Sequence, residues 1–323
     1  MTTRCSHCGS EATPYLVSKD YNIAITENEF RYFKCTGCGL LFISPVPDDL
    51  GRYYPQSYSA YEKPTVDELQ LKSGLETSKL KIIQNYVTSG RLLEIGPASG
   101  GFAYLAKVSG FEVDCIEMDK NCCEILRDVI QVNAVNSNDI VEAFGGLGHY
   151  NVIVMWHVIE HLINPLEVIE VAARHLAPGG ILVLATPNPR SIQFKTFKSY
   201  WVHLDAPRHL HLIDPAIIAK KVLSCGFQVV SLTTKGEYNS KFNDFAWWEW
   251  SIKNMIKRSA NRRNIRNSGN AQDANNITES IIKTIIRNIV TKLFNLTVCK
   301  MQNIEGYGAA YTMVIKKAIS SMP

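Results

Sequence analysis

Four cysteines at the start of the chain have the spacing of a metal centre. Cys5-Ser6-His7-Cys8 and Cys35-Thr36-Gly37-Cys38 each place two thiols three residues apart, so one tight turn can aim both at a single ion. Gly9 and Gly39 follow the pairs, and glycine supplies the left-handed backbone such a knuckle needs. Two knuckles make a set of four thiolates, which is closed and tetrahedral in structural zinc sites and leaves no position for substrate. Cys5, Cys8, Cys35 and Cys38 are therefore expected to hold a structural Zn2+ that folds a small ribbon. Cys115, Cys122, Cys123, Cys225 and Cys299 lack ligand spacing and read as small buried hydrophobes.

A second group has the spacing of a nucleotide site. Glu94-Ile95-Gly96-Pro97-Ala98-Ser99-Gly100-Gly101 is a glycine-rich turn between a predicted strand and a predicted helix, where a ligand can approach the backbone. Glu117 closes the next predicted strand, 21 residues beyond Gly96. An acid at that place accepts both hydroxyls of a ribose. A nicotinamide dehydrogenase fits this pattern poorly, because the turn lacks GxGxxG and no second dinucleotide half is present.

These groups need elements to hold them. Predicted strands at 91–95, 111–117, 151–155, 181–186, 227–233 and 311–316 alternate with helices at 102–108, 121–130 and 215–223, and with one beginning near Ile159 or Asn164. A helical stretch through Leu75, Leu80, Ile83 and Val87 precedes them. The alternation predicts an α/β fold, a doubly wound and mostly parallel sheet covered on both faces. The expected organisation is a zinc ribbon (1–47), a connector and N-terminal helix (48–88), the cofactor-binding core (89–235), a basic helical insertion (236–305) and the last strand with the C-terminus (306–323).

The core resembles the class I S-adenosylmethionine-dependent methyltransferases. The resemblance rests on Leu92-Leu93-Glu94-Ile95-Gly96-Pro97-Ala98-Ser99-Gly100, on Val113-Asp114-Cys115-Ile116-Glu117, and on the run from Tyr150 to Leu162. Leu176-Ala177-Pro178-Gly179-Gly180-Ile181-Leu182-Val183 and Thr186-Pro187-Asn188 match the family's fifth-strand region. The resemblance covers roughly 88–235 plus the last strand, and the joined ribbon points to the bacterial subgroup that modifies sugars, polysaccharides and secondary metabolites. It implies that S-adenosylmethionine is held by Glu94, Gly96, Ala98, Gly100, Glu117, Met118 and Trp156. Ala98 departs from the family's usual second glycine, and Asn151 from its usual aspartate.

Transfer to a hydroxyl needs an aligned nucleophile and a nearby base, and histidine is best matched near neutral pH. His157 and His161 lie in His157-Val158-Ile159-Glu160-His161, just past a strand end; His209 lies in a polar loop beyond Tyr200 and Trp201. His209 is the first choice as base. Ubiquinone-type O-methyltransferases place Glu-x-x-Glu-His at the first of these segments as ligands for a divalent cation, and His157 at the first position argues against that metal here.

Composition sets the outer bounds. At 46% hydrophobic and 20% charged, the 323-residue chain can bury a full core, and no apolar run reaches the ~20 residues of a membrane span. The cysteine motif follows Met1-Thr2-Thr3-Arg4 with no apolar signal core, so a cytoplasmic protein is expected. Residues 1–47 carry four basic and four acidic side chains, a balance poorly suited to gripping nucleic acid. Residues 241–300 carry eleven basic against four acidic, a net +7 beside Trp247, Trp248 and Trp250. That stretch suits peripheral contact with an anionic membrane surface, or the blander role of a lid or homodimer contact. The expected activity is methyl transfer to a hydroxyl of a sugar or other small metabolite, a small-molecule or glycan-type acceptor that is nucleotide- or lipid-linked in one version. The alternatives are a ribbon-guided RNA methyltransferase and a non-catalytic cofactor-binding scaffold.

Overall fold

The computed structural model describes residues 2–54, 64–264, 301–302 and 304–317. The cysteine segment folds as an antiparallel meander: β1 (Thr3–Arg4), β2 (Glu11–Lys19), β3 (Glu29–Cys35) and β4 (Leu41–Ile43). In β3 the charged Arg31 and Lys34 reach solvent while Phe30, Tyr32 and Phe33 are buried. Alternating side chains serve opposite faces. Phe33 and Phe42 join the main core, whereas Phe30, Tyr32, Leu41 and Ile43 join a second cluster with Trp201, Leu204 and Leu210.

Helices α1 (Val66–Ser73) and α2 (Thr77–Gln84) follow, separated by a 3-10 turn at Gly74–Glu76. Thr65 opens α1 with a capping box: its hydroxyl accepts from the Glu68 amide, and the Glu68 carboxylate accepts from the Thr65 amide. The central sheet takes β5 (Gly90–Ile95), β6 (Phe111–Glu117), β7 (Asn133–Asn136), β8 (Tyr150–Trp156) and β9 (Leu176–Pro187). The short β10 (His211–Leu212) belongs elsewhere, and β11 (Phe227–Thr233) and β12 (Ala310–Lys317) complete the sheet. Its order is β11-β12-β9-β8-β5-β6-β7, parallel except that β12 runs antiparallel to both neighbours.

The expected doubly wound α/β architecture is therefore present. Val152-Ile153-Val154-Met155 is buried throughout, as a parallel strand covered on both faces requires. Leu92, Val152 and Val154 pack on one side with α3 (Gly101–Val108); Leu93, Ile153 and Met155 pack on the other with α6 (Pro165–Arg174). Between these helices run α4 (Lys120–Ile125) and α5 (Ile140–Ala143); beyond them lie α7 (Ile192–Phe197), α8 (Pro215–Ser224), α9 (Gly236–Ser240) and α10 (Phe245–Asn264). The chain winds from β5 outward to β7, then returns to set β8 on the other side of β5. That reversal makes the carboxyl ends of β5 and β8 the crevice where such sheets bind ligands.

The ribbon strands are not closed on themselves. β10 pairs antiparallel with β4, His211 opposite Phe42 and Leu212 opposite Leu41, so one sheet joins residues on both sides of the core. Three local differences from the sequence reading have physical causes. The helix expected at 121–130 is α4 plus a π-helical turn at Leu126–Ile130, which ends at Gln131 in left-handed backbone. β9 starts at Leu176 rather than 181, because Leu176 already pairs with Tyr150 on β8; Gly180 fits between them only without a side chain, since its Cβ would lie 2.9 Å from the Tyr150 carbonyl and 3.0 Å from that of Asn151. β7 and β10 are too short, at four and two residues, to leave a periodic signature. The insertion begins as α9 and α10; its second apolar stripe, at 281–294, and the basic residues Arg266, Lys283, Arg287, Lys292 and Lys300 lie outside the described residues. Among the described residues no helix is long and apolar enough to cross a membrane.

Candidate active site and cysteine centre

At the cofactor end, the β5–α3 turn is built from left-handed backbone: φ is +70° at Gly96, +50° at Ala98 and +79° at Gly100. Side chains are excluded at two of these positions. A Cβ on Gly96 would meet Val158 Cγ2 at 2.6 Å, and one on Gly100 would meet Ile130 Cδ1 at 2.3 Å. The Ala98 amide donates to Glu117 Oε2 at 3.0 Å, and the Asp119 amide to Glu117 Oε1 at 2.9 Å. Burial pushes the Glu117 carboxyl up while those amides pull it down. A carboxylate has about four acceptor sites, so capacity remains for ribose hydroxyls. Asn136 on β7, a residue the sequence reading missed, donates to the carbonyls of Glu117 and Met118 and fixes this strand end. Met118 itself is largely exposed.

Deeper in the same crevice Glu94 is 3% exposed and its Oε2 has no partner among the described residues. Burial pushes its carboxyl up to about 8, opposed by the Lys79 ammonium. The indole N–H of Trp156, at the end of β8, is also buried without an acceptor among those residues. One orphan acceptor and one orphan donor suit a zwitterionic amino-acid end, so the residues present fit S-adenosylmethionine.

At the carboxyl end of β8 the chain leaves the strand through His157, whose φ is +56°. Its amide donates to the Ala185 carbonyl on β9, which holds this uncommon backbone in place. His157 Nδ1 lies 3.1 Å from Glu160 Oε1, and Thr186 Oγ1 donates to Glu160 Oε2 at 2.9 Å. Glu160 is wholly buried. Burial alone would raise its carboxyl, but the His157 hydrogen bond and the nearby imidazoles outweigh it and hold it at about 2. A carboxylate only accepts, so Nδ1 of His157 is the donor in this pair; Nε2 is buried and, among the described residues, has no partner.

The other two histidines converge on the same place. Glu160, His161 and His209 offer ligand atoms within 4.8 Å of one another, although both Glu160 oxygens already accept hydrogen bonds. The His161 and His209 rings meet edge to face at 4.5 Å. His209 Nδ1 lies 2.8 Å from the His203 carbonyl, and His161 Nδ1 lies 2.9 Å from the Tyr54 hydroxyl and 3.1 Å from the Arg208 carbonyl. Burial, then His209, pulls His161 down to about 4. His203 went unremarked in the sequence. It packs against Trp201, Phe242 and Trp247, its Nε2 is buried without a partner, and burial pulls it down to about 3. Phe242 also packs against His157, ring centres 4.5 Å apart and planes tilted by 37°, so the start of the insertion roofs this end of the site.

The loop carrying these groups is anchored by the N-terminal sheet. Arg208 is wholly buried and pairs with Asp20 at 2.8 Å and Asp205 at 2.6 Å. Asn22 donates to the Val202 carbonyl and to Asp205, and Tyr32 donates to the His209 carbonyl at 2.7 Å. No motif announces these contacts, because their partners are far apart in the chain.

The four N-terminal thiols come together. Cys5 and Cys38 sulfurs are 3.8 Å apart, Cys8 and Cys35 sulfurs 3.4 Å, and all four lie within 4.8 Å of one another. Zn–S bonds of about 2.3 Å in a tetrahedron require sulfurs about 3.8 Å apart, so the donor set fits a zinc ion. Gly9 and Gly39 both have positive φ, +73° and +80°, as the knuckles require. Cys115, Cys122 and Cys123 are buried, Cys225 is half-buried, and Cys299 lies outside the described residues.

The sheet order, the glycine turn and the acid after β6 define a class I S-adenosylmethionine-dependent methyltransferase. More particularly, the chain belongs to the methyltransferase domain family whose profile matches residues 70–232, half of its length. A ubiquinone biosynthesis O-methyltransferase from Rickettsia prowazekii (strain Madrid E) is 27% identical over 194 residues, covering 55% of this chain and 72% of its own. One of the same name from Rickettsia canadensis (strain McKiel) is 23% identical over 188 residues, covering 55% and 77%. Among solved structures, a SAM-dependent methyltransferase from Archaeoglobus fulgidus aligns at 19% identity over 76% of this chain and 94% of that one, with a TM-score of 0.48.

Proposed function

We propose that the enzyme methylates a hydroxyl oxygen of a small metabolite, with His157 as general base and Glu160 as the group that orients it. The observation that carries this reading is the relay Thr186–Glu160–His157 at the carboxyl end of β8, in which a carboxylate holds Nδ1 and Nε2 has no partner among the described residues. S-adenosylmethionine supplies an activated methyl group, so the protein has only to align an oxygen and take its proton. Glu160 holds the productive tautomer and favours the imidazolium that forms. This reading takes His157 ahead of His209 because the Glu160 carboxylate favours the imidazolium that forms, whereas the backbone carbonyl that meets His209 Nδ1 carries no net charge to do so. The relatives named as O-methyltransferases support oxygen as the acceptor atom. The aromatic lining of Phe242, Trp247 and Trp201 around His203 suits the face of a ring, sugar or phenol. Zinc on Cys5, Cys8, Cys35 and Cys38 would hold the meander whose strands brace this loop.

The experiment is methyl transfer from labelled S-adenosylmethionine to a panel of hydroxylated sugars, catechols and matched amines. Transfer to a hydroxylated acceptor that His157→Asn abolishes, with S-adenosylhomocysteine binding intact, supports the reading. Transfer to amines alone, or full activity in His157→Asn, would reject it.

A further inference from the structure

A lysine on a surface helix ordinarily carries its ammonium into water. Lys79 on α2 does not. Its Nζ stands over three rings, 5.4 Å from the centre of Trp156, 5.8 Å from Phe102 and 5.9 Å from Tyr238, and only 16% of its side chain is exposed. Phe102 lies in the first turn of α3, beside the glycine turn, and Trp156 ends β8, so the ammonium covers the crevice between β5 and β8. Among the described residues it has one carboxylate partner, Glu76 Oε2 at 2.7 Å, and an ammonium has three donors. The Trp156 indole N–H in the same cage has no acceptor. Two donors with unused capacity, walled by rings, describe a place for an anion. Across the crevice, Glu94 Oε2 is the matching orphan acceptor, and Lys79 is the cation that acts most strongly on it.

We propose that Lys79 and the Trp156 N–H together bind the α-carboxylate at the methionine end of S-adenosylmethionine. The α-ammonium of the same group then falls to Glu94. Charge agrees with this placement. Glu76 and ionised Glu94 against Lys79 leave one net negative charge, and the cofactor brings one net positive charge. The role goes beyond the acceptor reading and does not depend on which histidine is the base.

The test compares two ligands that share adenosine and sulfur but differ in the amino-acid end. S-adenosylhomocysteine carries the α-carboxylate; 5′-methylthioadenosine has none. Titration calorimetry on the full-length protein is run with wild type, Lys79→Met, Lys79→Arg and Trp156→Phe. Lys79→Met is expected to weaken S-adenosylhomocysteine by roughly tenfold or more, the scale of a charge-assisted hydrogen bond, and to leave methylthioadenosine within about twofold. Lys79→Arg keeps most of the affinity, and Trp156→Phe, which keeps the ring and removes the N–H, shows the same selective loss. Equal weakening of both ligands would make Lys79 a support for α2 alone and overturn the assignment, as would unchanged S-adenosylhomocysteine affinity in Lys79→Met. Failure of wild type to bind S-adenosylhomocysteine would remove the cofactor pocket and the role of Lys79 together.

Discussion

His157 Nδ1 lies 3.1 Å from Oε1 of Glu160, three residues further on, and the backbone at His157 sits in the left-handed region to make that contact. A base whose inner nitrogen is fixed by a carboxylate presents a defined lone pair on the outer one. Glu160→Gln keeps the shape but can pair with the other tautomer, so kcat is expected to fall by ~10²–10⁴. Steady-state kinetics with a working acceptor would show this, with S-adenosylhomocysteine affinity unchanged. Equal activity in the variant would remove the relay.

Cofactor binding is expected to be pH-linked through Glu94. Its carboxyl is raised to about 8, so it stays protonated at neutral pH before the ligand arrives, and an incoming ammonium favours the ionised form. Binding at pH 7 should therefore release up to about one proton, and affinity should rise from pH 6 toward 8. The same raised value costs the empty protein stability as pH rises from the ordinary carboxylate range through about 8, because the unfolded chain gives up that proton earlier. Calorimetry in buffers of different ionisation enthalpy measures the proton count. Proton release that persists undiminished in Glu94→Gln would assign it to another group.

Glu117, with one oxygen accepting from the Ala98 amide and the other from the Asp119 amide, is expected to hold the ribose. Glu117→Ala should cost ~1.5–3 kcal/mol of binding, the scale of hydrogen bonds to a charged group. In contrast to Lys79→Met, it should weaken S-adenosylhomocysteine and methylthioadenosine alike, since both carry the ribose.

The cysteine centre should act at a distance on the acceptor side only. One zinc per chain is expected by metal analysis, lost in Cys8→Ser. β4 pairs with β10 and Tyr32 holds the His209 carbonyl, so loss of the meander should reduce methyl transfer. The cofactor turn is formed by β5 and α3, and S-adenosylhomocysteine affinity should survive. Full zinc retention in Cys8→Ser would refute the assigned ligands.

Arg208 joins Asp20 and Asp205 with no solvent contact of its own. Removing one partner of a buried pair leaves charge uncompensated, so Arg208→Met should destabilise the protein by about 3–5 kcal/mol. Thermal or denaturant unfolding followed by circular dichroism gives the value, and a loss below about 1 kcal/mol would mean the acids are relieved by water.

What the sequence determined by itself is what short spans encode. The glycine turn, Glu117 and the order of strands and helices were legible because backbone conformation and burial periodicity act over a few residues at a time. The paired cysteines were legible for the same reason within each knuckle. Which histidine a carboxylate orients was not. His157 and His209 are equivalent as residue types, and only the folded chain shows that Glu160 takes Nδ1 of one and the His203 carbonyl meets Nδ1 of the other. The bracing of the loop by Asp20, Asn22 and Tyr32, the roof supplied by Phe242, and the position of Lys79 over Trp156 likewise join segments distant in the chain. The partner of a buried polar atom is set by which elements pack together, and packing is a property of the tertiary structure.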